Sequence, residues 1–391
     1  MRLAPPCSLL LLLSLLVVAP PARAELTIYS SLPLHGPSRP QTLDAVRGMR
    51  LALRHAGGQA AGQPVRYVSL ADSSRRVGSW TPERTSANAR RAARDDSAVA
   101  YLGEFNSGAS AISMPILNEA GILQVSPSNT AVGLTRDGPG ADRGEPERYA
   151  PTGRRTYGRV IPSDLVQGRA AGAMVQAAGV RRLLVVHDGE IYGKGLARTA
   201  RDAARARGVR IVGFRRQPRR CAAARRIARA ARRADGVFFG GITANCAVPL
   251  WRALHRAKPR LRLFAGDGVA ESGFVDRIGP ARRRTKVLVA TLAPGSYPAA
   301  GQDVLRALGP NPDPYALYGY EAMAVALDAI NRGGPTRAGA VDAFFATRDR
   351  DSVLGRYSID PFGDTTLTQY GRYRVDRRGL VFDGVVDAGP A

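Results

Sequence analysis

Lysine is almost missing from this basic chain. Lys and Arg together make up 57 of 391 residues, against 32 Asp and Glu, but only Lys194, Lys258 and Lys286 are lysines. An arginine excess of this kind reads as codon bias, not as selection for phosphate contacts. The formal charge of +25 is spread over many helical segments, with no recognition motif and no aromatic platform beside it, so a nucleic-acid partner is excluded. Histidine is scarce too, at 4 residues, and with no H-E-x-x-H and no Cys cluster a metal site has no basis. No G-x-G-x-x-G or G-K-[ST] loop is present, which argues against a dinucleotide or nucleoside triphosphate, and no cofactor is expected. The absence of G-x-S-x-G or any other nucleophile and base pattern argues against an enzyme, although Asp95-Asp96, or a serine with His187, would be the residues to suspect.

Long apolar runs are confined to the start. Residues 1–24 hold Arg2, an apolar stretch over 9–18 and the small-residue end Ala22-Arg23-Ala24, the pattern of a cleavable secretory leader cut before Glu25. The stretch is too short to span a bilayer, and Cys7 precedes it, so Cys7 is not a lipid-bearing cysteine. Export to the periplasm or outer face of the envelope follows. Two cysteines then remain, Cys221 and Cys246, each opening a predicted helix (221–233 and 246–256) beside a predicted strand at 236–240. In an oxidising compartment a disulfide between them and a pair of free thiols both fit.

From Leu26 onward, strand and helix alternate, which predicts parallel sheets covered by helices. Strands are expected at 26–31, 65–70, 99–102 and 122–125, with helices at 42–55, 82–94 and 108–120. A second series has strands at 159–161, 183–187, 209–214, 237–240, 261–265 and 287–290, and helices at 163–178, 192–207, 221–233 and 246–256. Helices at 299–308, 314–331 and 337–347 and strand-like pieces at 356–359, 370–375 and 380–385 complete the chain. The segment 136–155, rich in Gly, Pro and charge, reads as a surface loop that packs through Tyr149, Pro151 and Tyr157.

Two clusters carry the functional signal. Asn106-Ser107-Gly108-Ala109-Ser110 and Ser126-Pro127-Ser128-Asn129-Thr130 each follow a short apolar strand, with Ser107 where a helix N-cap would sit. Open α/β sheets bind ligands outside the carboxyl ends of their strands, so neighbouring ends rich in hydroxyls and free amides form a cradle for a carboxylate. A single S-x-x-S cluster is more often a plain cap. Two at consecutive strand ends point to a site.

The order of several motifs resembles the branched-chain amino-acid binding proteins, which have the type I periplasmic-binding-protein fold and serve ABC importers. The likeness runs over nearly the whole exported chain: Leu34-His35-Gly36-Pro37, the two serine clusters, Ile191-Tyr192-Gly193-Lys194-Gly195-Leu196-Ala197, Phe238-Phe239-Gly240-Gly241, Gly266-Asp267-Gly268, Val353-Leu354-Gly355 and Ile359-Asp360-Pro361-Phe362-Gly363-Asp364. The resemblance implies an α/β fold of two doubly wound lobes joined by three crossovers, near 161–163, 292–296 and 357–360. One lobe would comprise 25–160 plus 295–357, the other 161–294 plus 358–391. It also implies that Ser107 gives its hydroxyl to a ligand carboxylate, that backbone groups at Ser128 and Thr130 hold the same group, and that Asp267, where the family more typically has Glu, pairs with the ligand ammonium. Tyr192 would reach across the cleft. At two side-chain pocket positions where the family has aromatics, this chain has Gln41 and Ile242. The expected function is capture of an amino acid, branched-chain or related, by a monomer that closes and delivers it to the permease of an ABC importer. A ligand-sensing module, or a binder of an amide or small carboxylate, is the alternative.

Overall fold

The computed structural model describes residues 25–389; the leader expected over 1–24, with Cys7, lies outside them. The first half forms strands β1 (Leu26–Leu32), β2 (Gln59–Ala60), β3 (Gln63–Ala71), β4 (Ser73–Ser74), β5 (Ser79–Trp80), β6 (Ala98–Gly103), β7 (Leu123–Ser126) and β8 (Tyr157–Arg159), with helices α1 (Arg39–His55), α2 (Pro82–Ala93) and α3 (Ser107–Glu119). The second series is α4 (Asp164–Ala177), β9 (Arg182–His187), α5 (Ile191–Ala206), β10 (Arg210–Arg216), α6 (Ala224–Ala230), β11 (Gly236–Gly240), α7 (Val248–Ala257), β12 (Arg262–Ala265), α8 (Ser272–Val275) and β13 (Thr285–Val289). Helices α9 (Ala299–Ala307), α10 (Tyr315–Gly333) and α11 (Arg337–Phe345) precede the antiparallel pair β14 (Gln369–Asp376) and β15 (Gly379–Asp387).

Two large sheets result, in the orders β2-β3-β1-β6-β7-β8 and β10-β9-β11-β12-β13-β14-β15, and β4 and β5 pair as a small two-stranded sheet. The strands at their centres are buried along their length, β6 (AVAYLG) and β11 (GVFFG) with almost wholly apolar sequence and β1 (LTIYSSL) with Thr27, Ser30 and Ser31 buried as well. Helices cover both faces of a parallel sheet, so such strands run apolar without alternation. Pro82 opens α2 behind Thr81, whose hydroxyl accepts the Arg84 amide, a start that needs no tertiary help.

The chain passes between the sheets three times. After β8 it enters α4, which packs on α5. After β13 it returns through α10, which packs on α1 of the first sheet so closely that a Cβ at Gly48 would lie 2.0 Å from the Ala316 carbonyl oxygen, and one at Gly319 2.1 Å from that of Ala45. The third passage comes later than 357–360. The Arg159 amide donates to the Gly363 carbonyl, and Asp364 is paired with Arg159 at 2.7 Å, so the chain stays on the first sheet until it leaves for β14.

Some local expectations give way to tertiary contacts. The piece at 356–359 is not a strand but two isolated bridges, Arg350 to Tyr357 and Ile359 to Thr365. Neither cysteine opens a helix: Cys221 and Cys246 have φ of +58° and +69° and precede α6 and α7. The structure joins them in a disulfide with Cα atoms 5.4 Å apart. In the 136–155 loop, Tyr149 and Tyr157 are buried, but Pro151 is exposed. The loop packs through Glu145 instead, whose carboxylate accepts the Tyr149 hydroxyl at 2.5 Å. Among the described residues no helix is long and apolar enough to cross a membrane.

Candidate functional site

The carboxyl ends of β6 and β7 face those of β9, β11 and β12 across a cleft. Ser107, Ser128, Thr130, Tyr192, Asp267, Gln41 and Ile242 all line its cavity. Sequence positions up to 226 residues apart, Gln41 and Asp267, thus meet around one small volume.

On the first wall, Asn106 rather than Ser107 occupies the cap position, and Ser107 is the first residue of α3. The start of a helix leaves its first amides without intrahelical acceptors and adds a favourable dipole for an anion. The Ser107 hydroxyl oxygen accepts the Ala131 amide at 3.4 Å, which leaves its proton to donate. Ser128 is partly committed inside its own loop: its hydroxyl donates to the Phe105 carbonyl at 2.9 Å and its amide to the Ser126 hydroxyl at 3.2 Å. Thr130 differs. Arg159, with no exposed surface, draws the Asn129 and Ala131 carbonyls at 3.1 and 2.8 Å. The C=O and N–H of a trans peptide point in opposite directions, so the Thr130 amide points away from Arg159. Asp364 and the Thr135 hydroxyl complete the guanidinium's partners, both at 2.7 Å, and the paired charge holds the Asp364 carboxyl below the usual carboxylate range despite burial. Nothing in the local sequence marked Arg159 as the brace of this loop.

On the opposite wall, Asp267 begins a short turn after β12. Its Oδ1 accepts the Tyr192 hydroxyl at 2.7 Å, and that hydroxyl accepts the Gly268 amide at 3.1 Å. Its Oδ2 is buried and makes no hydrogen bond. Burial pushes this carboxyl up to about 6. Behind it Asp164 is fully buried with both carboxyl oxygens unpartnered, and desolvation followed by the Asp267 charge pushes it well above the ordinary range. Tyr192 reaches Asp267 because glycines let backbones touch: a Cβ at Gly193 would lie 2.6 Å from the Gly240 oxygen, and one at Gly268 2.5 Å from that of Gly241.

Two hydrogen bonds join the walls directly. Gln41 donates to the Ala270 carbonyl at 2.9 Å, and the Ser38 hydroxyl donates to Glu271 Oε1 at 2.5 Å. Outside the cavity, Asp142 of the 136–155 loop pairs with Lys194 and Arg198 of α5 at 2.5 and 2.8 Å. Asp188, after β9, accepts the amides of Glu190 and Ile242 and the Asn245 side chain, and so fixes both loops beside the cavity; burial holds it up near 6. The disulfide lies against this region, with Cys246 Sγ 2.6 Å from the Arg219 carbonyl oxygen and the Arg219 guanidinium on Glu190.

Trp80, Glu190, Glu271 and Tyr315 also line the cavity. Sequence reasoning missed them, since each lies in a segment without a motif. His187 is not on the wall. It is buried against Phe214, with ring centroids 4.7 Å apart, and burial lowers its pKa to about 4, the behaviour of a structural histidine. Among the described residues no group of three or more His, Cys, Asp or Glu is placed to hold a metal.

Two α/β lobes with a polar cleft between their strand ends are the architecture of a solute-binding protein. The sequence matches the family described as periplasmic binding protein over residues 26–377, and the chain belongs to that family. An amino acid binding protein of Pseudomonas aeruginosa is 26% identical over 331 residues, 83% of each chain. A leucine-binding protein of Thermotoga maritima has the same fold, with a TM-score of 0.77 at 21% identity over 93% of this chain and 99% of that one. A solute-binding protein of R. palustris in complex with benzoate aligns with a TM-score of 0.75 at 18% identity, covering 94% and 97%. The fold is therefore shared by proteins whose ligands differ.

Proposed function

We propose that the protein captures an amino acid between its lobes after export and hands it, chemically unchanged, to an ABC-type permease. One observation carries this reading: the donors of Ser107 and Thr130 and the Asp267 carboxylate, whose Oδ2 is buried without a hydrogen bond, line one cavity that has no basic side chain. A carboxylate at the first wall and an ammonium at Asp267 satisfy both. A buried carboxylate needs such a partner, because leaving it alone costs several kcal/mol or forces it to hold a proton. Benzoate supplies the anion without the cation and would leave Asp267 unanswered, so an amino acid is favoured over an aromatic acid. The two lobes move as bodies about the three crossovers, and the bonds from Ser38 and Gln41 close them.

The test is thermal unfolding of the protein lacking residues 1–24 against amino acids, amides and benzoates, because a ligand that binds only the folded state raises its stability. A rise with amino acids that Asp267→Ala abolishes supports the reading. A rise with benzoates alone, or retained in Asp267→Ala, overturns it. Stimulation of a permease's ATPase by the loaded protein separates transport from sensing.

A further inference from the structure

The cleft inverts the charge of the chain that builds it. Lys and Arg outnumber Asp and Glu 57 to 32 in the sequence, yet the cavity wall carries Glu190, Asp267 and Glu271 and no Lys, Arg or His. A zwitterion with a neutral side chain requires one of these carboxylates, Asp267. Glu190 is already answered by Arg219, whose Nε and Nη2 reach its Oε1 at 3.0 and 2.5 Å. Glu271 remains.

Glu271 is 6% exposed. Its Oε1 accepts the Ser38 hydroxyl from the opposite lobe, and its Oε2 is buried without a hydrogen bond. The groups around it bring no positive charge: the neutral Ser38 and Thr243 hydroxyls only partly offset burial, and Asp313 adds a like charge. Burial pushes the carboxyl up to about 7, as it does any acid without a counter-ion. Trp80, Phe105 and Tyr315 supply an apolar stretch of the cavity lining from the lobe that carries Ser38, suited to a methylene stem carrying a charged tip.

Building on the amino-acid reading above, we infer that Glu271, facing Ser38 across the cleft, is a second cation-binding subsite, and that the ligand is an amino acid whose side chain ends in an ammonium or guanidinium. A cation there joins the lobe that carries Ser38 to the one that carries Glu271, so binding the side chain and closing the cleft become one event. A neutral aliphatic side chain leaves Glu271 uncompensated.

Titration calorimetry near neutral pH with ornithine, lysine and arginine, set against leucine, norleucine, putrescine and benzoate, tests this. A hydrogen-bonded charge pair predicts that one of the basic amino acids binds roughly 10- to 100-fold tighter than norleucine, and that the isosteric Glu271→Gln brings that ratio close to one. Thermal unfolding of Glu271→Gln checks its folding, and Ser38→Ala, which removes only the hydroxyl, provides a second variant in which the ratio falls. Leucine or norleucine binding as tightly as the basic amino acids overturns the second subsite and leaves the amino-acid reading intact, as does a basic preference that survives Glu271→Gln. Binding of putrescine or benzoate with no amino acid bound overturns both.

Discussion

Replacing Asp267 with Asn should make the empty protein more stable and the binding protein worse. Burial moves this carboxyl from its ordinary 3.8 to about 6, and at about 1.36 kcal/mol per pKa unit its ionisation costs the empty folded state about 3 kcal/mol. The sign follows from which state holds the proton more tightly. Below about pH 4 the group is protonated both folded and unfolded, and the cost is zero; it grows as pH rises and is complete above about pH 6. Asn keeps the acceptor for the Tyr192 hydroxyl and removes the titration. Asp164, held high partly by the Asp267 charge, relaxes in the same direction. Guanidinium unfolding of wild type and Asp267→Asn without ligand, from about pH 4 to about pH 8, should show curves that coincide at the acid end and part by up to about 3 kcal/mol above pH 6. Calorimetry with the preferred ligand should meanwhile show a loss of about 2–5 kcal/mol for the missing charge partner. Parallel pH profiles refute the reasoning, because Asp267 then pays no desolvation cost and has no need of a cation.

Ser107→Ala should weaken ligand binding by about 1.5–3 kcal/mol, the cost of removing a donor from a charged acceptor; calorimetric affinity within about twofold of wild type removes Ser107 from the site. The Cys221 to Cys246 bond spans 25 residues, and the loop-entropy relation gives it about 3.5 kcal/mol. Equal denaturant midpoints for the oxidised protein and Cys221→Ser would contradict that. Asp142→Ala breaks two partly exposed ion pairs between the 136–155 loop and α5, each worth about 0.5 kcal/mol, and so moves the open-to-closed ratio about fivefold. Small-angle scattering of the ligand-free variant should show a larger mean radius, and an unchanged radius would mean that this loop does not hold the lobes together.

Elements set by short-range pattern were legible in the sequence. The apolar runs of β1, β6, β9 and β11 and the start of α2 behind Thr81 were readable because period, capping and proline chemistry act within a few residues. The two serine clusters were readable because strand ends in such sheets converge. Features that failed were those whose partners lie far off. Cys221 and Cys246 are expected to open helices, but both have left-handed backbone and are joined to each other before α6 and α7 begin. Residues 356–359 have strand-like composition, but no strand lies alongside.

Taken alone, the sequence determined the alternation of strand and helix that sets the α/β class and the two hydroxyl clusters at strand ends, since these follow from periodicity and residue type; the part of Asp267 came only with the family resemblance. Tertiary structure alone decided which charges are answered. Arg159 is neutral in effect because Asp364, 205 residues later, meets it. Glu271 is left without a cation although Ser38, 233 residues earlier, touches it. Burial and the presence or absence of a counter-ion depend on segments that only folding brings together, and they turn an ordinary turn glutamate into a group that asks for a positive charge.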